Sequence, residues 1–269
     1  MTEVDAFAAV DLGAESGRVM VGLVQDEGLA LHEAHRFANR PVYLPDGLHW
    51  NTMGLLRDTL DGLGVAARDH RLQGIGVDAW GVDYALLDDQ RRMLGPPFHY
   101  RDPRTASMAQ RAYEHMTREE LFAATGIQTM PINTMFQLLA DAGTPALESA
   151  QFIALIPDLV AFWLCAELAN ETTVASTTGL LEANAPKWAY GVIDALGLPR
   201  DLFREWCRPE HALASCSTTT VTRSAAERRY RCSPSRATTR RRHSWRLRCA
   251  TVVEPPCCAA GRGRCWEWR

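Results

Sequence analysis

Cysteine is scarce where this chain is most regular. Residues 1–215 hold two, Cys165 and Cys207, and the other six of eight fall between Cys216 and Arg269. So few thiols exclude a disulfide-stapled scaffold for the first part and predict a reducing, cytoplasmic compartment. The chain lacks a basic start followed by an apolar stretch, so no signal peptide is expected. No apolar run reaches the roughly 20 residues of a membrane span. The nearest, 153–168, is interrupted by Pro157 and Asp158. A charge of one sign is also missing from the whole: net charge is −3 with 23% charged residues. Neither nucleic acid nor a membrane is therefore an expected partner. No internal repeat at solenoid spacing occurs.

What is present suits a globular protein of one large or two small domains, with 46% hydrophobic residues in 269. The apolar run from Ala6 to Val10 leads into Asp11-Leu12-Gly13, and Arg18 to Val24 is rich in β-formers. Together they predict a hairpin, with a third strand over 29–37. Apolar residues at helical spacing (Leu55, Leu56, Leu60, Leu63, Val65) predict a helix over 52–68. Buried strands are predicted at 74–78 and 82–87. Helices follow at 105–115, after the Thr117 to Glu120 capping box and before Gly126, at 135–141, at 159–168 and at 188–196. Strands first, then helices returning between strands, make an α/β domain.

Three segments carry chemistry. The first is Asp11-Leu12-Gly13-Ala14-Glu15-Ser16-Gly17-Arg18. Glycines allow backbone N–H groups to approach phosphate oxygens. Asp11 is a candidate for Mg²⁺ through its water shell, and Ser16 and Arg18 are candidate phosphate donors. A Walker loop is excluded because no lysine is present here, and a dinucleotide fingerprint because a strand follows the glycines instead of a helix. A plain glycine hairpin with a turn aspartate stays open. The second segment is Gly76-Val77-Asp78-Ala79-Trp80-Gly81-Val82-Asp83-Tyr84. Sugars are held by carboxylate hydrogen bonds and by aromatic faces, which makes Trp80, Gly81 and Asp83 substrate candidates. A β-turn with a core tryptophan is the alternative. The third is Tyr100-Arg101-Asp102-Pro103-Arg104-Thr105, where Arg101 and Asp102 either pair beside a cleft or cap the following helix.

Taken together, these segments resemble the FGGY carbohydrate kinases, and within them the rhamnulokinase branch, over roughly residues 5–210. That branch has Asp-Leu-Gly-Ala-Ser-Ser-Gly-Arg-Val-Met where this chain has Asp11 to Met20, with Glu15 replacing a serine. Gly76 to Leu87 and Tyr100 to Thr105 match its other two segments. The resemblance implies an actin/hexokinase-like (ribonuclease H-like) N-terminal domain of a two-domain sugar kinase. It implies MgATP and a small sugar as substrates, with phosphoryl transfer to the 1-hydroxyl of L-rhamnulose. Asp11, Gly13 and Ala14 to Arg18 would then meet ATP, Asp11 would also lie near Mg²⁺, and Trp80, Gly81, Asp83 and Arg101 would face the sugar. Another ketose or polyol kinase of the family, such as a xylulokinase, and a non-catalytic sugar- or nucleotide-binding module are the alternatives. A sugar-sensing transcription factor would need a helix-turn-helix ahead of Asp11, which the residues before Ala6 do not supply.

Kinases of this family carry their base aspartate in a Ser-His-Asp-Thr-Ala-Ser-like stretch, and the printed sequence has none, so no catalytic residue is assigned. Instead, regular patterning stops near Leu213. Residues 216–269 hold 13 arginines against Glu227, Glu254 and Glu267, a net of +10 that leaves −13 for the first 215. A frame offset accounts for this. Joining each wobble base to the first two bases of the next codon, Arg229 to Arg248 permit Val-Pro-Val-Leu-Ala-Val-Ala-Ser-His-Asp-Thr-Ala-Ser-Ala-Leu-Val-Ala-Val-Ala. Thr238 and Thr239, for example, permit GAC, an aspartate codon. The expected organisation is thus a kinase domain at 1–215 and an aberrant tail at 216–269 without a packed core.

Overall fold

A computed structural model describes residues 5–26 and 28–203, and the backbone of 206–207, 215–216 and 247–251. Strands β1 (Asp5–Leu12), β2 (Ser16–Gln25) and β3 (Gly28–Ala38) form an antiparallel meander. Alternation along β1 turns Ala6, Ala8, Val10 and Leu12 inward. A short hairpin of β4 (Val42–Leu44) and β5 (Gly47–His49) leads to helix α1 (Thr52–Asp69). Asn51 caps that helix by accepting from the Gly54 N–H. Glycine at position 62 lets α1 lie against β2, because a Cβ there would come within 2.5 Å of Val19. Strand β6 (Leu72–Ala79) then pairs parallel to β1. Leu55, Leu63 and Ala66 from α1 close the core over Val19, Val21, Ile75 and Val77.

After β6 the chain leaves this sheet. Strand β7 (Tyr84–Leu87) pairs antiparallel with β8 (Phe152–Leu155) in a separate two-stranded sheet. Between them lie α2 (Met108–Tyr113), α3 (Arg118–Thr125), α4 (Thr134–Asp141) and α5 (Pro145–Ser149). These helices and the later α8 (Tyr190–Ala195) bury a second core around Phe136, Leu138, Leu121 and Ile193. Helix α6 (Ile156–Cys165) starts directly from β8 and returns Val160 and Leu164 to the first core. Strand β9 (Asn170–Glu171), helix α7 (Thr172–Ser176) and strand β10 (Trp206–Cys207), which pairs with β9, complete this part.

Two sequence expectations need correction here. The strand expected at 82–87 begins at Tyr84, because the chain turns sharply at Val82. The helix expected at 105–115 is a 3₁₀ turn at Pro103–Thr105 followed by the shorter α2. Nothing in the sequence set an expectation of pairing for the segment at 247–251. That segment, β12 (Leu247–Thr251), pairs parallel with β6, and β11 (Ser215–Cys216) pairs with β12, so that the main sheet runs β11-β12-β6-β1-β2-β3. The free edge of β6 explains this, since its unpaired N–H and C=O groups accept any strand that reaches them. The rest of 217–246 and 252–269 lies outside the described residues.

Candidate functional site

The parallel pairing of β1 and β6 puts Asp11 in register with Asp78 and Leu12 with Ala79. Both strands therefore deliver their following loops to the same edge of the sheet, the crevice where open α/β sheets bind ligands. The first loop is only Gly13-Ala14-Glu15, closed by a Gly13 N–H bond to the Ser16 carbonyl at 2.8 Å. Asn39 ties it down from the end of β3. Its amide donates to the Glu15 carbonyl at 2.9 Å, and its side-chain Nδ2 donates to the Gly13 carbonyl at 2.9 Å. Among the described residues, the Ala14 and Glu15 N–H groups find no acceptor, so two donors stay open for an anion.

Next to this loop runs a row of charge. Register places Asp78, Asp11, Arg18 and Arg36 side by side across β6, β1, β2 and β3. Arg18 Nε donates to Asp11 at 2.5 Å, and Arg36 to Glu33 at 2.5 Å. Both pairs are substantially exposed, so they contribute little to stability. Their use is chemical: a carboxylate suited to a hydrated cation sits beside guanidinium groups suited to phosphate.

The second loop is tighter. The Asp83 N–H donates to the Gly81 carbonyl at 3.0 Å, which makes 81–83 a γ-turn with Val82 at φ 69°. For a β-branched residue this region costs on the order of 1–3 kcal/mol. Surrounding groups hold it. Thr177 Oγ1 accepts from the Val82 N–H at 3.0 Å, while Thr134 Oγ1 at 2.6 Å and Gln137 Nε2 at 3.3 Å donate to the Val82 carbonyl.

Behind the turn, Asp83 is fully buried. Its carboxylate accepts from Trp50 Nε1 at 2.6 Å, Trp80 Nε1 at 3.0 Å, the Tyr100 N–H at 3.2 Å and Gln137 Nε2 at 2.7 Å. Burial raises its pKa to about 6, and these donors restrain the rise. They also fix an aromatic stack: Trp50 lies 4.0 Å from Trp80 and 3.9 Å from His99, centroid to centroid. His99 is pushed down to about 4, first by burial and then by Arg101, against a smaller opposing pull from Asp102. Its Nδ1 accepts from the Arg101 N–H at 3.0 Å, as a neutral imidazole does.

Residues 7–228 match the profile described as the N-terminal domain of the FGGY family of carbohydrate kinases. The chain belongs to that family. It is 39% identical over 214 residues to rhamnulokinase from Pectobacterium atrosepticum, covering 78% of this chain and 43% of that protein. To rhamnulokinase from Bacteroides thetaiotaomicron it is 36% identical over 206 residues, 76% of this chain and 42% of the relative. The chain thus spans less than half the length of these curated relatives. The solved xylulose kinase from Rhodospirillum rubrum shares its fold with a TM-score of 0.74 at 14% identity, over 92% of this chain and 49% of that one. The α/β fold is accordingly that of the FGGY sugar kinases.

In this FGGY domain the structure gathers the expected residues at one edge but gives several of them other work. Asp83, expected to hold sugar hydroxyls, has its oxygens occupied by four protein donors and serves as the anchor of the aromatic stack. The γ-turn at Val82 explains the change, because it folds the following side chain into the core. Gly81 is not an opening left for a sugar, since a Cβ there would meet Thr177 Oγ1 at 2.5 Å. Only its backbone is available. Trp80 stays half-buried on the stack. Arg101 is exposed with its guanidinium 5.3 Å from the Tyr100 ring centre. Asp102 takes the capping alternative: it accepts from the Arg104 N–H at 2.9 Å and the Leu48 N–H at 2.7 Å. Gly17 lies inside β2, not in the loop, and packs on Phe37.

Sequence reading gave no role to Asn39, Thr134, Gln137 or Thr177, although Asn133-Thr134 and Asn170 to Leu181 also resemble the family. Each acts from a distant element, which the local pattern does not reveal. A further open cleft of about 440 Å³ lies between the end of α3 and the turn at 181–186, and no sequence-predicted site residue lines it. No described helix is long and apolar enough to cross a membrane.

Proposed function

We propose that this chain is the ATP-loop-bearing lobe of a kinase that moves the γ-phosphoryl group of MgATP to the 1-hydroxyl of L-rhamnulose. The observation that carries the reading is the in-register placement of the Asp11 loop and the Gly81 turn at one edge of adjacent parallel strands. The first loop offers open amides to the phosphates, and the strands beside it offer Ser16 and Arg18 to the phosphates and Asp11 to the hydrated Mg²⁺. The second offers the Gly81 backbone and the edge of Trp80 to the sugar. The preference for rhamnulose over other ketoses rests on similarity to the rhamnulokinases at 36–39% identity.

Transfer to a hydroxyl also needs a proton acceptor close to the nucleophile. The offset reading frame supplies one in the right place. The slot beside β6 takes a strand parallel to β6 and β1, as β12 does. An offset-frame strand Val-Pro-Val-Leu-Ala-Val-Ala in that slot would end at the same sheet edge as Asp11 and Gly81. Its Ser-His-Asp would follow at once. In this reading the printed chain binds substrates but lacks the base and the partner lobe, and closure over the substrates is what excludes competing water.

Two experiments test it. DNA sequencing through codons 205–269 is expected to show a frame that continues into a second lobe. Calorimetric titration of the chain itself is expected to show binding of MgATP and of L-rhamnulose. An uninterrupted frame as printed, together with no binding of either ligand, would defeat the proposal.

A further inference from the structure

The turn at Gly81–Val82–Asp83 is the most strained described backbone at the site edge, and its surroundings specify it completely. Four backbone groups around Val82 are consumed within the protein. The Gly81 carbonyl accepts from the Asp83 N–H, the Val82 N–H goes to Thr177, and the Val82 carbonyl receives Thr134 and Gln137. The Thr177 hydroxyl is itself oriented, because it donates to the Val174 carbonyl at 2.8 Å and so turns a lone pair toward Val82. Gln137 is fixed in the same way by Asp83 at 2.7 Å and by the Ile132 carbonyl at 3.1 Å. The Gly81 N–H is different. Among the described residues it meets no acceptor.

We infer that Thr177, acting through the strained Val82 turn, is a specificity-determining positioning residue that presents the Gly81 N–H to an oxygen of the ketose. This rests on the sugar-kinase reading above and deepens it. The physical logic is one of preorganisation. A β-branched residue in the left-handed region relaxes when its restraints are loosened. The open amide therefore holds a fixed direction only while the clamp is intact. Thr177 sits just beyond α7 and Thr134 and Gln137 sit on α4, so two separate elements set the angle of one donor. A donor fixed in this way distinguishes ketoses by where they place their oxygens, whereas a mobile one binds them alike. Thr177 also fills the space beside Gly81, so the sugar reaches this turn only on its opposite side.

The test is calorimetric titration of the chain with L-rhamnulose, with D-xylulose and, separately, with MgATP, for the parent and for Thr177→Val, Thr177→Ser and Val82→Gly. Thr177→Val is expected to weaken L-rhamnulose binding about tenfold, in line with loss of one buried hydrogen bond. It should also narrow the preference over D-xylulose and leave MgATP affinity unchanged. Thr177→Ser should restore both affinity and preference. Val82→Gly relieves the strain of the turn but loses a buried side chain, so the protein should fold with a modestly lower Tm while its ketose preference falls. It decides the matter if Thr177→Val does not fold. Parent-like affinity and preference in both Thr177→Val and Val82→Gly would overturn the inference alone. A parent that binds MgATP but neither ketose would overturn the sugar reading and this inference together.

Discussion

Asp83 and His99 both contact Trp50, one at its indole N–H and one on its ring face, and have opposite pH behaviour. Asp83 has a folded pKa raised from 3.8 to about 6, so the folded state holds its proton more tightly. Its stabilising contribution is full below about pH 4 and is lost as pH rises through 6. His99 has a folded pKa lowered from 6.5 to about 4, so its contribution is full above 6.5 and is lost as pH falls toward 4. The two contributions oppose, and the one from His99 is further reduced by solvent screening. Removing one should expose the other. Relative to the parent, Asp83→Asn should make stability rise more steeply between pH 4 and 6, and His99→Gln should make it fall. Urea unfolding at four pH values checks this, and parallel curves for all three proteins would refute it.

Single elements carry their own tests. Asn39 holds the 13–15 loop with two hydrogen bonds, one of them from its side chain. Asn39→Ala should cost about 1 kcal/mol of stability and weaken MgATP more than ketose binding. Equal affinity for nucleotide in both proteins would show that the loop needs no such tie. Around α4, Asp141 accepts from Tyr84 at 2.5 Å and pairs with Arg104, whose guanidinium lies 4.0 Å from the Phe98 ring centre. Asp141→Ala leaves a half-buried guanidinium unpaired and should cost about 3–5 kcal/mol by thermal or urea unfolding. Helix α3 shows what local sequence can reveal: Thr117 and Glu120 form the capping box and Gly126 takes the left-handed C-cap at φ 68°. Both were legible because such signals lie within a few residues. Strand β8 was not, since Phe152–Leu155 joins the apolar run of α6 and periodicity cannot separate them. The burial of Asp83 was hidden for another reason. Its four donors come from positions 50, 80, 100 and 137, which only the fold brings together.

At the scale of the whole molecule, the two loops at one sheet edge were legible as glycine-bearing segments after apolar strands, and their parallel register confirms the arrangement. The tail was read from composition, lost periodicity and a frame offset. None of these registers the demand of an open strand edge, so the pairing of β12 with β6 had no local signal. The proposed function joins a substrate-binding edge in this FGGY domain to a base in the offset frame. It is tested most directly by a coupled ADP-release assay on the printed chain and the frame-restored protein side by side, with L-rhamnulose and D-xylulose. The printed chain should release no sugar-dependent ADP, and the restored protein should turn over, with L-rhamnulose preferred. Equal turnover of L-rhamnulose by the two proteins would contradict the claim.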